Sequence, residues 1–150
     1  MTYSLKMASY GEPSFIHLRE SGCAYVDKTK FISTLEQCGT RFPFIVRPRR
    51  FGKSVFANML TAYYDKATAG DFKKNFSGTW IGEHPTPLAN KFLVLKFDFS
   101  GVSGTEDLVE SFLSKVKRGI RDFVNRYMTN DEEFSELLKA RYSSPTMAVY

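Results

Sequence analysis

An apolar run, Phe42-Pro43-Phe44-Ile45-Val46, passes into a short basic loop, Arg47-Pro48-Arg49-Arg50-Phe51-Gly52, and then into Lys53-Ser54 and a helical pattern, Val55-Phe56-Ala57-Asn58-Met59-Leu60. No other stretch constrains the fold as strongly. Strand, tight loop, Gly-Lys-Ser, helix is the order in which the free N–H groups of a first helical turn can cradle a phosphate. Against the pattern Gly-x-x-x-x-Gly-Lys-Ser/Thr every fixed position matches except the first, where Arg47 replaces glycine. The competing reading makes Gly52 an ordinary turn residue, with Arg49, Arg50, Lys53 and Ser54 on a solvated face. An apolar run ending just before the loop and a helix starting at the lysine favour the phosphate loop.

Each residue of such a loop has a task. Gly52 lets the backbone approach a phosphate where a Cβ would collide. Lys53 bridges the terminal phosphates and is the expected catalytic cation, while Ser54 offers its hydroxyl to Mg²⁺. Arg47 disfavours the positive φ that a glycine would permit, so the loop opens with a more ordinary turn, helped by the fixed φ of Pro48. Pro48 in turn biases Arg47 toward an extended conformation. The binding residues expected on this reading are Arg47, Pro48, Arg49, Arg50, Phe51, Gly52, Lys53 and Ser54, with Ser54 and Asp98 as metal candidates.

The charge is concentrated in the same place. Of a net +5, residues 1–60 hold nine Lys/Arg against four Asp/Glu, while residues 61–150 are balanced at twelve against twelve. Arg47, Arg49, Arg50 and Lys53 form a compact positive site, better matched to a small polyanion than to an extended track. A length of 150 residues fits one domain with an apolar core, and 43% hydrophobic content excludes a disordered class. No apolar stretch is long enough to span a membrane, and the first residues carry no secretory h-region. Cys23 and Cys38 read as two cytosolic thiols rather than a disulfide, which places the chain in the cytoplasm. His84 and His17 lack partners at zinc-ligand spacing.

Along the chain, Ser14 caps a helix over 15–20 that Gly22 ends. Asp27 reads as the N-cap of a helix over 28–37, a simpler role than a catalytic or metal-binding acid, and Gly39 terminates it. Residues 42–46 read as a short buried strand, with Pro43 at its first residues. The helix after the loop runs over 53–66, residues 72–75 form a helical turn, and a loop begins at Gly78. Phe92-Leu93-Val94-Leu95-Lys96-Phe97-Asp98-Phe99 reads as a second strand. Asp98 near its carboxyl end is open to two roles, contact with Mg²⁺ or capping of the next loop. A helix starts at Ser103 or Thr105, with Glu106 and Asp107 in its first turn, and continues to Met128. Its surface carries Lys115, Lys117, Arg118, Arg121 and Arg126, read as a solvated face or a partner-facing patch. A last helix covers 131–141 and stops before Pro145.

The eight residues Arg47 to Ser54 resemble the modified Walker A of the AAA-ATPase-like family, a large group of mostly bacterial proteins in which arginine is expected at the first position. Tyr25-Val26-Asp27-Lys28-Thr29 resembles a second signature of that family. Phe31, Ile32 and Leu35 match its apolar helix positions, Phe72 and Phe76 its Phe-rich element, and residues 92–100 its next strand. The resemblance covers the chain from about Gly11 onward.

It implies that the chain is the N-terminal part of a P-loop nucleotide-binding domain, with the Walker B acids and often a nuclease-like domain following it. The expected fold is α/β: a three-layer P-loop NTPase-type parallel sheet flanked by helices, incomplete at its C-terminus. The expected function is binding of ATP with Mg²⁺ within a larger ATPase, with a nucleotide as partner and nucleic acid reached through the nuclease-like domain. The rival is a non-enzymatic nucleic-acid-binding module using Arg47, Arg49, Arg50 and the helix from Lys115 to Arg126. A protein-interaction or regulatory role is the third possibility.

Overall fold

The computed structural model describes residues 11–102 and 108–128. Two compact units meet in the chain at Leu93 and Val94.

The first unit is helical. α1 (Phe15–Glu20) starts where expected, with the Ser14 hydroxyl accepting from the His17 N–H at 3.3 Å. α2 is Lys30–Gln37, two residues shorter than the 28–37 reading. Asp27 explains the difference. Its Oδ1 accepts from the Thr29 N–H at 2.8 Å, a tight Asx turn that holds Lys28 and Thr29 out of the helix, and its Oδ2 accepts from the Trp80 N–H at 2.7 Å. The cap reading is thus replaced by a clamp between two elements. α3 (Lys53–Tyr64) stops before the expected Lys66 because Asp65 turns extended and caps a 3₁₀ stretch, Lys66–Asp71, through Ala67. α4 (Phe72–Phe76) follows. The loop expected at Gly78 instead forms a short helix, α5 (Trp80–Glu83), because the Thr79 hydroxyl accepts from the Gly82 N–H.

These helices converge on Phe15, Ile32, Met59, Ala62, Tyr63, Phe76 and Ile81, all buried. Phe76 sits at the centre, with ring centroids 5.1 Å from Phe15, 5.6 Å from Tyr63 and 5.2 Å from Phe72. Polar ties lock the edges: Arg19 Nε donates to the Asn75 carbonyl at 3.1 Å, and the Ile81 N–H donates to Thr29 Oγ1 at 3.1 Å.

No β-sheet forms among the described residues, which overturns the three-layer α/β expectation. The sole β feature there is an isolated parallel bridge between Asp65 and Phe92. A strand exists only with a neighbour in register, and among the described residues neither apolar run has one. Residues 42–46 make no backbone hydrogen bond among the described residues. Phe92 spends its N–H on the Tyr64 carbonyl and its carbonyl on the Lys66 N–H.

In the second unit the rest of that run lies against α6 (Leu108–Tyr127). The Val94 N–H donates to the Tyr127 hydroxyl at 3.0 Å. Gly119 allows close approach, since a Cβ there would stand 2.6 Å from Phe97 Cδ1 and 2.8 Å from the Lys96 carbonyl oxygen. The expected helix start at 103–105 and the helix over 131–141 lie outside the described residues.

Candidate functional site: a basic loop beside an unpaired apolar run

The loop between the apolar run and α3 is closed by its own polar groups. Lys53 Nζ donates to the Arg47 carbonyl at 2.6 Å and to the Pro48 carbonyl at 3.0 Å. The Phe51 N–H turns back to the Pro48 carbonyl at 3.4 Å. Two left-handed residues make the turn, Arg50 at φ 68° and Gly52 at φ 72°. For glycine that conformation is free; for arginine it carries strain.

Beside the loop is a cleft of about 130 Å³ lined by Lys28, Phe31, Leu35, Ile45, Arg47, Gly52, Lys53 and Phe56. The Arg47 guanidinium lies 5.8 Å from the Phe31 ring centroid. Lys28 Nζ stands 3.7 Å from where a Gly52 Cβ would be. No acid lines the cleft. Its walls are mostly aromatic and aliphatic, and it is well below the roughly 300 Å³ at which small-molecule sites begin.

Of the sequence-predicted residues, Arg47, Gly52 and Lys53 meet at this cleft, while Pro48, Arg49, Arg50, Phe51 and Ser54 are exposed. The β-strand that a Walker A loop requires on its N-terminal side is absent, so ATP binding through a P-loop is corrected, and with it the nucleotide as partner. The Mg²⁺ expectation fails as well. No cluster of His, Cys, Asp or Glu able to hold a metal occurs among the described residues. Asp98 belongs to the second unit, where its Oδ1 accepts from the Ser100 N–H at 2.9 Å. The Ser100 hydroxyl, together with that backbone bond, holds the Asp98 carboxyl below the usual range. Its capping role is therefore the one the structure contains.

Sequence reasoning missed the state of the apolar run itself. Phe42, Phe44 and Val46 are 88%, 91% and 76% exposed, against 39% for Ile45, which faces the cleft. Two signals were available. Between Glu36 and Asp65 the chain has no acid but carries Arg41, Arg47, Arg49, Arg50 and Lys53, a density of charge that a buried strand does not need beside it. Pro43 in turn marks an edge rather than an interior strand.

No helix of the described residues is long and apolar enough to cross a membrane. Searches of curated proteins and of solved structures return no match. Residues 9–150 match the family described as "Predicted AAA-ATPase". The family assignment rests on that match, whereas the P-loop architecture inferred from it has no counterpart among the described residues. The chain belongs to the AAA-ATPase-like family.

Proposed function

We propose that this chain is a protein-interaction module that receives an extended polypeptide segment along residues 43–47. One observation carries the proposal: an apolar run with outward side chains and no backbone hydrogen bond among the described residues. Contiguous exposed apolar surface marks interaction sites, and an unpaired extended backbone supplies the hydrogen bonds for strand addition.

The geometry selects one edge. Phe42 precedes Pro43 and Arg47 precedes Pro48, so both are biased to extended backbone. The alternation of exposed Phe44 and Val46 with inward Ile45 has the period of a strand. In such a strand the N–H and C=O of one residue point to the same side, so Phe44 and Val46 share an edge. The opposite edge is defective. Pro43 has no N–H, and the Arg47 carbonyl is taken by Lys53. Lys53 therefore acts here by fixing the loop rather than by catalysis, and the residues Arg47 to Ser54 flank the docked strand. A cytoplasmic setting agrees with the free thiols of Cys23 and Cys38.

Titration of isotope-labelled protein with a Val/Thr-alternating peptide tests the reading. The Phe44 and Val46 amides should shift together, ahead of those in α1 and α4. Shifts confined to other elements, or none at millimolar peptide, would remove it.

A further inference from the structure

We infer that the cleft beside the docking run takes one aliphatic side chain of leucine size from the partner segment, at the position opposite Ile45. This rests on the strand-docking reading above and adds what the partner must carry.

The cleft is continuous with the run. Ile45 and Arg47 line it, whereas Phe44 and Val46 are turned outward. Ile45 and Arg47 are two positions apart and so share one face of an extended chain. A segment that pairs with Phe44 and Val46 in the antiparallel sense sets one residue directly opposite Ile45. That pair has no hydrogen bonds between its members, and its Cα atoms lie about 4.5 Å apart. Side chains of such a pair stand on the same face and touch. The partner's side chain at this position is thereby delivered to the cleft.

Size and lining specify that side chain. A dry apolar cavity of about 150 Å³ takes a benzene, and the cleft, at about 130 Å³, takes an isobutyl group. Its apolar walls come from Phe31, Leu35, Ile45 and Phe56, and the Phe31 and Phe56 rings meet edge to face with centroids 6.5 Å apart. The walls are also held in place before anything binds. Phe56 packs against the buried core of the first unit, and Lys53 Nζ holds the Arg47 carbonyl at 2.6 Å. A preformed pocket spends little of the contact energy on ordering itself. Phe31 remains 47% exposed, and a guest side chain covers part of that surface. A second copy of the chain does not supply this group. Pairing Phe44 with the second copy's Val46 sets Ile45 opposite Ile45, and each Ile45 already lines the cleft of its own chain.

The experiment measures binding of three peptides to the full chain. They share a Val/Thr-alternating frame and carry alanine, leucine or tryptophan at the central position. The leucine peptide should bind roughly tenfold or more tightly than the alanine one, because its extra carbons leave water. Tryptophan, too large for the cleft, should return to about the alanine value. Two variants act on the cleft in opposite directions. Leu35→Phe fills it and should abolish the difference between leucine and alanine. Phe31→Ala opens it and should lift the tryptophan peptide above the leucine one. Misfolding of either variant cannot produce that reversal of preference. Equal affinity of the alanine and leucine peptides would overturn the cleft inference and leave strand docking standing. A leucine preference that survives Leu35→Phe would put the side chain elsewhere and overturn it too. Failure of every peptide to bind would overturn strand docking itself. Concentration-dependent dimerisation that excess leucine peptide does not reverse would make a second copy the occupant and overturn the inference.

Discussion

The runs at 42–46 and 92–99 look alike on paper. Both are aromatic and aliphatic, both are short, and both read as strands of one parallel sheet. Their surroundings separate them. The second run is engaged at once: Phe92 bridges Asp65, Val94 donates to Tyr127, and Phe97 fits over Gly119. The first run leaves Phe44 at 91% exposure, with no backbone partner among the described residues. Apolar composition sets the wish for burial, but a neighbour with free backbone groups decides whether a run becomes structure. Where that neighbour is missing among the described residues, the unmet demand is what supports the proposed binding surface.

The largest effect that can sharpen this comparison lies in the packed core. Phe76→Ala removes a ring in contact with Phe15, Tyr63 and Phe72, and should cost about 3–5 kcal/mol; urea unfolding of the first unit measures it. Phe44→Ala, the same chemical change in the unpaired run, should stay within about 0.5 kcal/mol by the same assay. Similar losses for the two variants would mean that residues 42–46 are packed, and the contrast would collapse.

The contact that secures the second run comes next. Gly119→Ala places a Cβ against Phe97 and the Lys96 carbonyl, an overpacking worth about 1–3 kcal/mol. Its effect should appear in the unfolding of the second unit and in the exchange rate of the Val94 amide. An unchanged Val94 amide would show that the run does not depend on α6.

A smaller effect is expected at the clamp between α2 and α5. Asp27→Ala strips the acceptor from the Thr29 and Trp80 N–H groups, at a cost of about 1–2 kcal/mol. Burial pushes the Asp27 carboxyl up, but those two backbone bonds outweigh it and hold its pKa below the usual value. A lowered folded-state pKa means that its stabilisation is complete above the unfolded value, about 3.9, and fades as pH falls through the folded one. The variant should therefore lose less stability than wild type between about pH 5 and pH 2. Parallel acid profiles would place the proton uptake elsewhere.

Much of the helical skeleton is legible in the sequence. Ser14 starts α1, Gly39 follows α2, and Lys53 opens α3, because caps and terminators act over three or four residues that lie adjacent in the chain. What sequence reading loses is anything decided by distant partners. Asp27 has the form of a helix cap, yet Trp80, fifty-three positions away, turns it into a clamp. Residues 42–46 have the form of a buried strand, yet no sheet forms among the described residues to receive them. The candidate site is half legible for the same reason. Arg47, Gly52 and Lys53 were picked out by spacing, whereas Lys28, in the turn before α2, and Phe31, on α2, reach the cleft only through tertiary packing.

The direct test of the central claim is amide hydrogen exchange at Phe44, Val46, Phe92 and Val94, with and without the Val/Thr-alternating peptide. In the free protein Phe92 and Val94 should be protected, while Phe44 and Val46 exchange at nearly unprotected rates. Saturating peptide should slow Phe44 and Val46 and leave the other two unchanged. Protection of Phe44 and Val46 in the free protein, equal to that of Phe92, would contradict the account, because the run would already have its partner within the chain.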